Sequence, residues 1–524
     1  MSNHDKTNRK SAETIQPKTA DRTPENTVNS NTPGGSPGED LILPSLLDAD
    51  PDLADDAQAM VDDDESPQVG RPRIDRADLA ERCHNGLFIK HGTQQRLLRH
   101  FCGDWYLYAG GRYVKVQEEE IDKKITGFLV RIGEDALSTA LRRDILGILK
   151  SDEFCGLDGS KYEMPCFLST GEKAVNFIAL KNGIINVDEL LATMNAGTTL
   201  LPPMPLTPDF FSRFCLNYEY DPTAKAPKFM KYLEEVQPNA ENREMLQMIA
   251  GLILIPDTSY NVAFFLVGQG GTGKSVFMNV LEALVGSDNC CCVPLASLSF
   301  RFANIGLTES LANIIGDMPV TPDSGHLADM EGVFKKVTSG ETLFVERKFM
   351  NGKEARVTAR CVFATNEMPH FSDRSNGVWD RVRVIPFNVV FRNTDKQNPH
   401  LFEELCGELP GIFNWALDGL RKLRDHKTFP QSEEGRVLLE QLREDCDHEG
   451  TFLRETVKED KNGCIESQSL YQSYRGWCQN NGYSPVGANK FKSAVLRVFP
   501  DVTYMRIVTN LHMKVTVIHG IAKS

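Results

Sequence analysis

The residues best placed to do chemistry form one unbroken run, Gly268-Gln-Gly-Gly-Thr-Gly273-Lys274-Ser275, which fits G-x-x-x-x-G-K-[ST] at every position. Glycines let backbone N–H groups turn inward around phosphate oxygens, and a helix starting at the loop adds positive potential there. Gly268, Gly270, Gly271, Thr272 and Gly273 are therefore the candidate nucleotide cradle. Lys274 is expected to meet the β and γ oxygens of ATP, and Ser275 to ligate Mg2+. The flanks agree. Val262-Ala-Phe-Phe-Leu-Val267 is a continuous apolar run suited to a buried parallel strand, and the segment after Lys274 carries Val276, Val280 and Leu284 on one side of a helix stopped by Gly286.

Hydrolysis needs an acid at the end of a neighbouring strand to hold the metal or polarise water. Leu311-Ala-Asn-Ile-Ile-Gly-Asp317 supplies one, 43 residues after Lys274, so Asp317 joins Ser275 as a candidate metal ligand. A third strand, Val357 to Thr365, ends at Asn366, whose amide could orient the attacking water; an Asn there is also common in turns. Trp379-Asp-Arg381-Val-Arg383-Val-Ile-Pro-Phe387 sets a guanidinium just before an apolar strand, and in a ring of subunits such an Arg381 can reach the next subunit's γ-phosphate. Between these lie Arg347, Lys348, Lys353, Arg356 and Arg360 against one acid, Glu354, with a turn at Asn351-Gly352 and Phe349 near its tip. That is the make-up of a hairpin that tracks a nucleic-acid backbone, a plain surface hairpin being the alternative.

These groups need a scaffold, and at 524 residues the chain is long enough for about three domains. The formal charge of −14 argues at first against a nucleic-acid binder, but residues 1–75 hold 16 acids against 7 bases and carry −9 of it. This stretch lacks repeated apolar positions and is expected to be a disordered acidic leader. Its Leu41-Ile-Leu-Pro-Ser-Leu-Leu47 patch is a candidate peptide for a replisome partner, an incidental patch in a solvated tail being the alternative. Residues 76–222 read as a mixed α/β domain, 223–430 as the nucleotide-binding domain with flanking helices, and 431–524 as a polar connector and a terminal domain. In the last of these, stripes through Leu470, Tyr474 and Cys478 and through Phe491, Ala494 and Val498 precede a hairpin over 502–519, the order of a winged helix. Residues 467–524 hold seven bases and one acid, and Lys490, Lys492 and Arg497 could lie along a DNA backbone, a solvated helix face in a small protein-protein domain being the alternative.

No run approaches 18 apolar residues and the N-terminus lacks the apolar core of a secretory signal, so no membrane partner and a cytoplasmic location are expected. Thirteen cysteines without a C-x-x-C pair suit a reduced compartment. The spacing of Cys83, His84, His91, His100 and Cys102 matches no zinc template, and the consecutive Cys290, Cys291 and Cys292 are read as packing residues.

The ordered series of the phosphate loop, Asp317, Val337-Thr-Ser-Gly-Glu-Thr-Leu-Phe-Val-Glu-Arg-Lys348, Phe363-Ala-Thr-Asn-Glu-Met-Pro369 and Gly377-Val-Trp-Asp-Arg-Val-Arg-Val-Ile-Pro-Phe387 resembles the superfamily 3 helicases. Within them it is most similar to the phage, plasmid and poxvirus primase-helicase family, which Glu408-Leu-Pro-Gly-Ile-Phe-Asn-Trp-Ala-Leu-Asp-Gly-Leu420 and Tyr218-Glu-Tyr-Asp-Pro222 also match. The resemblance spans about residues 77–524. It implies an α/β fold with an AAA+-like P-loop ATPase core, an N-terminal α/β domain, a helical subdomain and a C-terminal winged helix. It implies an ATP hydrolase and 3′–5′ DNA helicase, assembled as a hexameric ring on single-stranded and forked DNA, that serves a phage, plasmid or other mobile element. An ATP-regulated origin-binding initiator is the second reading. By position, Lys274 and Ser275 take the Walker A roles, Asp317 the Walker B acid, Asn366 the sensor and Arg381 the finger in trans, while residues 347–360 match the pore hairpin. Two features depart from the family. Gly316 stands where a second Walker B acid is frequent, leaving Glu341 as a reserve, and residues 1–75 are too short for the family's primase domain, so primer synthesis is not expected.

Overall fold

The computed structural model describes residues 75–133, 138–196, 202–300, 302–318, 327–346, 352–369, 371, 376–392, 398–426, 428–508 and 514–524. The acidic leader therefore lies outside the described residues, apart from Asp75, whose carboxylate accepts the Ala77 N–H at 2.9 Å and starts helix α1 (Arg76–Leu87). Strands β1 (Leu98–Phe101), β2 (Asp104–Ala109) and β3 (Arg112–Val116) follow as an antiparallel meander. Helix α2 (Glu118–Arg131) begins with three glutamates on its positive end and buries Ile121, Ile125, Phe128 and Leu129. Helix α3 (Thr139–Leu149), capped by Ser138, covers the same core, and β4 (Gly156–Leu157) joins the sheet parallel to β1.

Short pairs come next: β5 (Cys166–Phe167), β6 (Phe177–Leu180), β7 (Gly183–Asn186), helix α4 (Val187–Ala196) and β8 (Phe210–Phe211), with β5 on β8 and β6 on β7. The sequence divides the chain at residue 222, yet the core does not. Tyr218 and Tyr220 pack edge-on against Phe413, and the Tyr218 hydroxyl donates to the Leu284 carbonyl at 2.8 Å, so residues 178–220 share one apolar core with the helices that follow.

Helices α5 (Pro227–Val236) and α6 (Ala240–Leu252) are separated at Pro238, and Asn239 caps the second. Then comes a parallel sheet. Its strands are β9 (Ala263–Val267), followed by helix α7 (Lys274–Val285), β10 (Cys290–Cys291), β11 (Ala312–Ile315), and, after helix α8 (Leu327–Thr338) and the hairpin of β12 (Thr342–Val345) and β13 (Lys353–Arg356), β14 (Arg360–Thr365). A short helix α9 (Asn376–Trp379) leads into β15 (Val382–Pro386). The order across the sheet is β10-β11-β14-β9-β15, every neighbour parallel, so all five C-terminal ends lie on one edge. The mostly apolar residues of these strands, with Asn313, Arg360, Thr365 and Arg383 as the polar exceptions, pack into cores on both faces, one built with α6, α7 and later helices, the other with α8.

Helices α10 (Leu401–Cys406), α11 (Leu409–Asp425) and α12 (Glu433–Cys446) return across the sheet. The C-terminal part has its own core, from Phe452 to Ile521. It contains α13 (His448–Thr456), β16 (Val457–Glu466), α14 (Ser467–Asn480), α15 (Ala488–Val498), β17 (Thr503–Val508) and β18 (Lys514–Lys523), with the sheet ordered β16-β18-β17. The two helices and hairpin stand where the sequence places them. Strand β16 is an addition, because Val457-Lys-Glu-Asp-Lys-Asn-Gly-Cys-Ile-Glu466 is interrupted by a register shift between Glu459 and Cys464 and shows no clean alternation. Among the described residues no helix is long and apolar enough to cross a membrane.

Candidate functional site

The parallel register brings the phosphate-loop motif and two of the other candidates together. Val267, the residue before the loop, lies opposite Thr365 on β14, and Phe363 lies opposite Ile315 on β11. Gly268, Asp317 and Asn366 therefore leave three adjacent strands at the same edge, with β14 between β9 and β11. Asp317 and Asn366 are both exposed there.

The loop geometry depends on glycine at specific points. Gly271 and Gly273 have φ of +86° and +90°, which favour glycine, and a Cβ on Gly273 would stand 2.7 Å from Val236 Cγ1. At Gly268 a Cβ would meet the Phe387 carbonyl oxygen at 2.2 Å. Thr272 is buried and its hydroxyl donates to the Gln269 carbonyl at 3.0 Å. Lys274 is 7% exposed; its ammonium donates to the Gly268 carbonyl, to Gln269 O at 2.8 Å and to Thr272 Oγ1 at 3.3 Å. Burial pushes the Lys274 pKa down, and the nearby Asp317 carboxylate opposes that shift. Ser275 is exposed one residue into α7. A hydroxyl and a carboxylate on this edge are the hard oxygen donors that Mg2+ takes.

The supporting residues were not marked by any motif. Tyr232 on α5 donates its hydroxyl to the Gly273 carbonyl at 2.9 Å, bracing the start of α7. Gln237 donates to the Pro386 carbonyl at 2.8 Å, and Asn242 links Gln237 to Glu434 and Ser432 on the far side, so the turn between α5 and α6 fixes the end of β15. The helical stripe containing Tyr232 is visible in the sequence, but its hydrogen bond is not.

Arg381 and Glu341 lie elsewhere. The Ala263 N–H donates to Arg381 O at 2.8 Å, which puts Arg381 at the N-terminal edge of the sheet, opposite its own phosphate loop. Its guanidinium donates to Gly377 O at 2.5 Å and Ser339 Oγ at 3.3 Å. Glu341 adjoins this same edge, its carbonyl accepting the Val357 N–H, so it cannot serve the loop of its own chain.

The basic segment divides. Arg347, Lys348, Phe349 and Asn351 fall outside the described residues. Arg360, read as part of the hairpin, is instead a fully buried residue of β14: it donates to Asp257 O at 2.8 Å and Thr338 O at 3.0 Å, carbonyls that replace part of its lost hydration. Lys353, opposite Val345, stands at the turn end of the hairpin ladder, where its ammonium lies 3.1 Å from Asp104 of β2. Asp104 is 5% exposed and also pairs with Lys115 at 2.7 Å. The turn end of the hairpin is thus tied to the N-terminal sheet. Removing this carboxylate strands two ammonium groups, and Asp104→Ala is expected to speed amide hydrogen exchange in β12 and β13 at least about tenfold, equivalent to roughly 1.4 kcal/mol of local opening.

In the C-terminal part, Lys490 and Lys492 are exposed on α15, Lys492 with its ammonium 4.5 Å from the centre of the Tyr504 ring. Arg497 instead forms an ion pair with Asp447, the residue that caps α13. This contact across fifty residues leaves less of its charge for a ligand.

The chain is a distant homologue of proteins of large DNA viruses that bear helicase names. It is 24% identical over 300 residues to "Putative helicase L207/L206" of Acanthamoeba polyphaga mimivirus, covering 52% of this chain and 31% of that protein. It is 22% identical over 341 residues to "Putative helicase 121R" of Invertebrate iridescent virus 3, covering 58% and 35%. The chain thus spans about a third of the length of the curated relatives it matches. Residues 266–381 match a family of unknown function (DUF5906), and residues 447–523 match the RFX DNA-binding domain. Among solved structures, the apo NrS-1 C-terminal region (305-718) aligns with a TM-score of 0.46 at 13% identity, over 81% of this chain and 95% of that one.

Proposed function

We propose that this protein is an ATP-dependent DNA helicase of superfamily 3, with an AAA+-like P-loop core, working 3′–5′ as a hexameric ring in the replication of a phage, plasmid or other mobile element. The observation that carries the reading is the convergence of residues 268–275, Asp317 and Asn366 on one edge of a five-stranded parallel sheet in which β14 separates β9 from β11. The helicase names of the distant viral homologues support the same class.

The chain's groups have definite parts in hydrolysis. Water attacks the γ-phosphorus, a new P–O bond forms, and the bond to the bridging oxygen breaks with its electron pair passing to ADP, while the water protons leave to solvent. Lys274 exchanges its loop carbonyls for β and γ oxygens and meets the growing charge; the loop N–H groups hold the phosphates in line. Asn366 orients the water. Ser275 and Asp317 would hold Mg2+, which supplies charge neutralisation at the phosphates. Arg381, remote from its own loop, is read as the residue that completes a neighbouring subunit's site. Because Gly316 is small and Glu341 lies at the other edge, Asp317 is the acid assigned to polarise water as well.

The test is unwinding of a forked duplex carrying either a 3′ or a 5′ tail, with ATP hydrolysis followed in parallel. Expected is DNA-stimulated hydrolysis and strand separation on the 3′-tailed substrate; no hydrolysis with any DNA sinks the proposal.

The match of residues 447–523 to the RFX DNA-binding domain favours a second reading, an origin-binding initiator whose winged helix finds the site. Because residues 452–521 form a separate core, removing 447–524 separates the two readings. A helicase should keep most of its hydrolysis and still open a fork, with duplex affinity reduced at least about tenfold, whereas an initiator should lose nearly all function.

A further inference from the structure

We infer that Arg392 is a catalytic arginine acting on the nucleotide held by its own chain, a role distinct from the trans role read for Arg381; the inference rests on the ATPase reading above. Beyond β15 the chain runs alongside the phosphate loop. Phe387 N–H donates to Val267 O at 2.7 Å and Phe391 N–H donates to Gly271 O at 2.8 Å, so the backbone on both sides of the loop is pinned to this segment. Arg392 follows directly. Its Cβ is 2.8 Å from where a Cβ on Gly271 would stand, and its Nη2 is 3.2 Å from the corresponding point on Gly270. Two consecutive glycines in the loop thus leave room for one arginine side chain.

The position of Lys274 says which part of a nucleotide this guanidinium meets. In a phosphate loop the lysine ammonium contacts the β and γ oxygens. Here that ammonium lies against the carbonyls of Gly268 and Gln269, so the terminal phosphate belongs beside the strand end of the loop, next to Gly270 and the Arg392 guanidinium. Arg392 is exposed, and among the described residues it makes no hydrogen bond or ion pair that would hold its charge elsewhere. Arginine presents a planar fork that matches phosphate oxygens two at a time. As the bond to the bridging oxygen breaks, negative charge builds on the β-phosphate and the departing phosphoryl oxygens, and a fixed guanidinium stabilises that charge more than it stabilises bound ATP.

The experiment compares full-length wild type, Arg392→Ala, Arg392→Lys and Arg381→Ala, with Lys274→Ala as the partner in mixing assays. Expected for Arg392→Ala is a fall in kcat of about a thousandfold with nucleotide affinity, read with a fluorescent ATP analogue, within about fivefold of wild type and an unchanged unfolding midpoint. Arg392→Lys recovers only part, and free guanidinium ion restores part of the Arg392→Ala turnover. Mixed with Lys274→Ala subunits, Arg381→Ala regains activity because intact sites form across the interface, whereas Arg392→Ala does not, since its sites lack either the lysine or the arginine. A kcat for Arg392→Ala within threefold of wild type overturns the inference, and recovery of Arg392→Ala on mixing overturns its action in cis. If wild type itself hydrolyses no ATP, the underlying ATPase reading fails, a result distinct from both.

Discussion

Lys274→Met is expected to lower DNA-stimulated ATP turnover by at least about a thousandfold while leaving the protein as stable as wild type or more so. The two effects have separate causes. The ammonium is the only charge the loop itself brings to the β and γ oxygens, and its loss leaves the leaving phosphate without its nearest counter-charge. In the folded protein Lys274 is 7% exposed, and its ammonium is satisfied by neutral carbonyls and a hydroxyl. Burial lowers its pKa, so the folded state binds this proton less tightly than the unfolded chain does. Lys274 therefore opposes folding at every pH below its folded pKa, and the opposition fades as pH rises through that value towards the ordinary lysine range. Methionine retains the apolar stem without the charge. Thermal unfolding at pH 7 and near pH 10, beside turnover assays, checks both halves: the midpoint difference between variant and wild type should shrink at the higher pH. Normal turnover in Lys274→Met would remove the loop from the mechanism.

The contrast between Lys274 and Arg392 shows which parts of the site a sequence makes visible. A phosphate cradle must be built from consecutive residues, because its N–H groups come from one turn of backbone, and so residues 268–275 announce themselves. Asp317 and Asn366 are legible for a related reason: each follows an apolar strand directly, and in a parallel sheet strand ends converge. Arg392 follows no such pattern. Its relation to Gly270 exists only because Phe387 and Phe391 lie against Val267 and Gly271, a contact spanning more than a hundred residues. Arg360 failed in the opposite direction. A charged residue beside other charged residues is ordinarily solvated, and only the carbonyls of Asp257 and Thr338 reveal why this one is buried. The boundary drawn at residue 222 failed because Asp221-Pro222 looks like a linker, whereas the flanking Tyr218 and Tyr220 are anchored in the core shared with α11.

The same substitution, glycine to alanine, is expected to have opposite signs on two helices of this protein. An exposed helical glycine costs about 1 kcal/mol relative to alanine, and at Gly332 in α8 a Cβ would enter open space, so Gly332→Ala should raise the unfolding midpoint. Gly251 in α6 and Gly419 in α11 face each other's helices. A Cβ on Gly251 would stand 2.4 Å from the Ala416 carbonyl oxygen and 2.5 Å from Leu420 N; one on Gly419 would stand 2.1 Å from the Gln247 carbonyl oxygen. These are backbone atoms and cannot rotate away, so the helices must separate, opening the packing of Leu246, Ala250, Ala416 and Leu420 in the shared core. The propensity gain of about 1 kcal/mol is outweighed, and each variant should lose roughly 3 kcal/mol or more, the pair failing to add because both act on one crossing. Function should follow stability here. Helix α6 follows α5 across the short turn at Pro238, and Tyr232 of α5 holds the Gly273 carbonyl, so a displaced helix pair also releases the brace at the start of α7. Gly251→Ala and Gly419→Ala should therefore bind nucleotide more weakly even at temperatures where they remain folded, and Gly332→Ala should not; unchanged midpoints in the first two would mean that the crossing yields without strain.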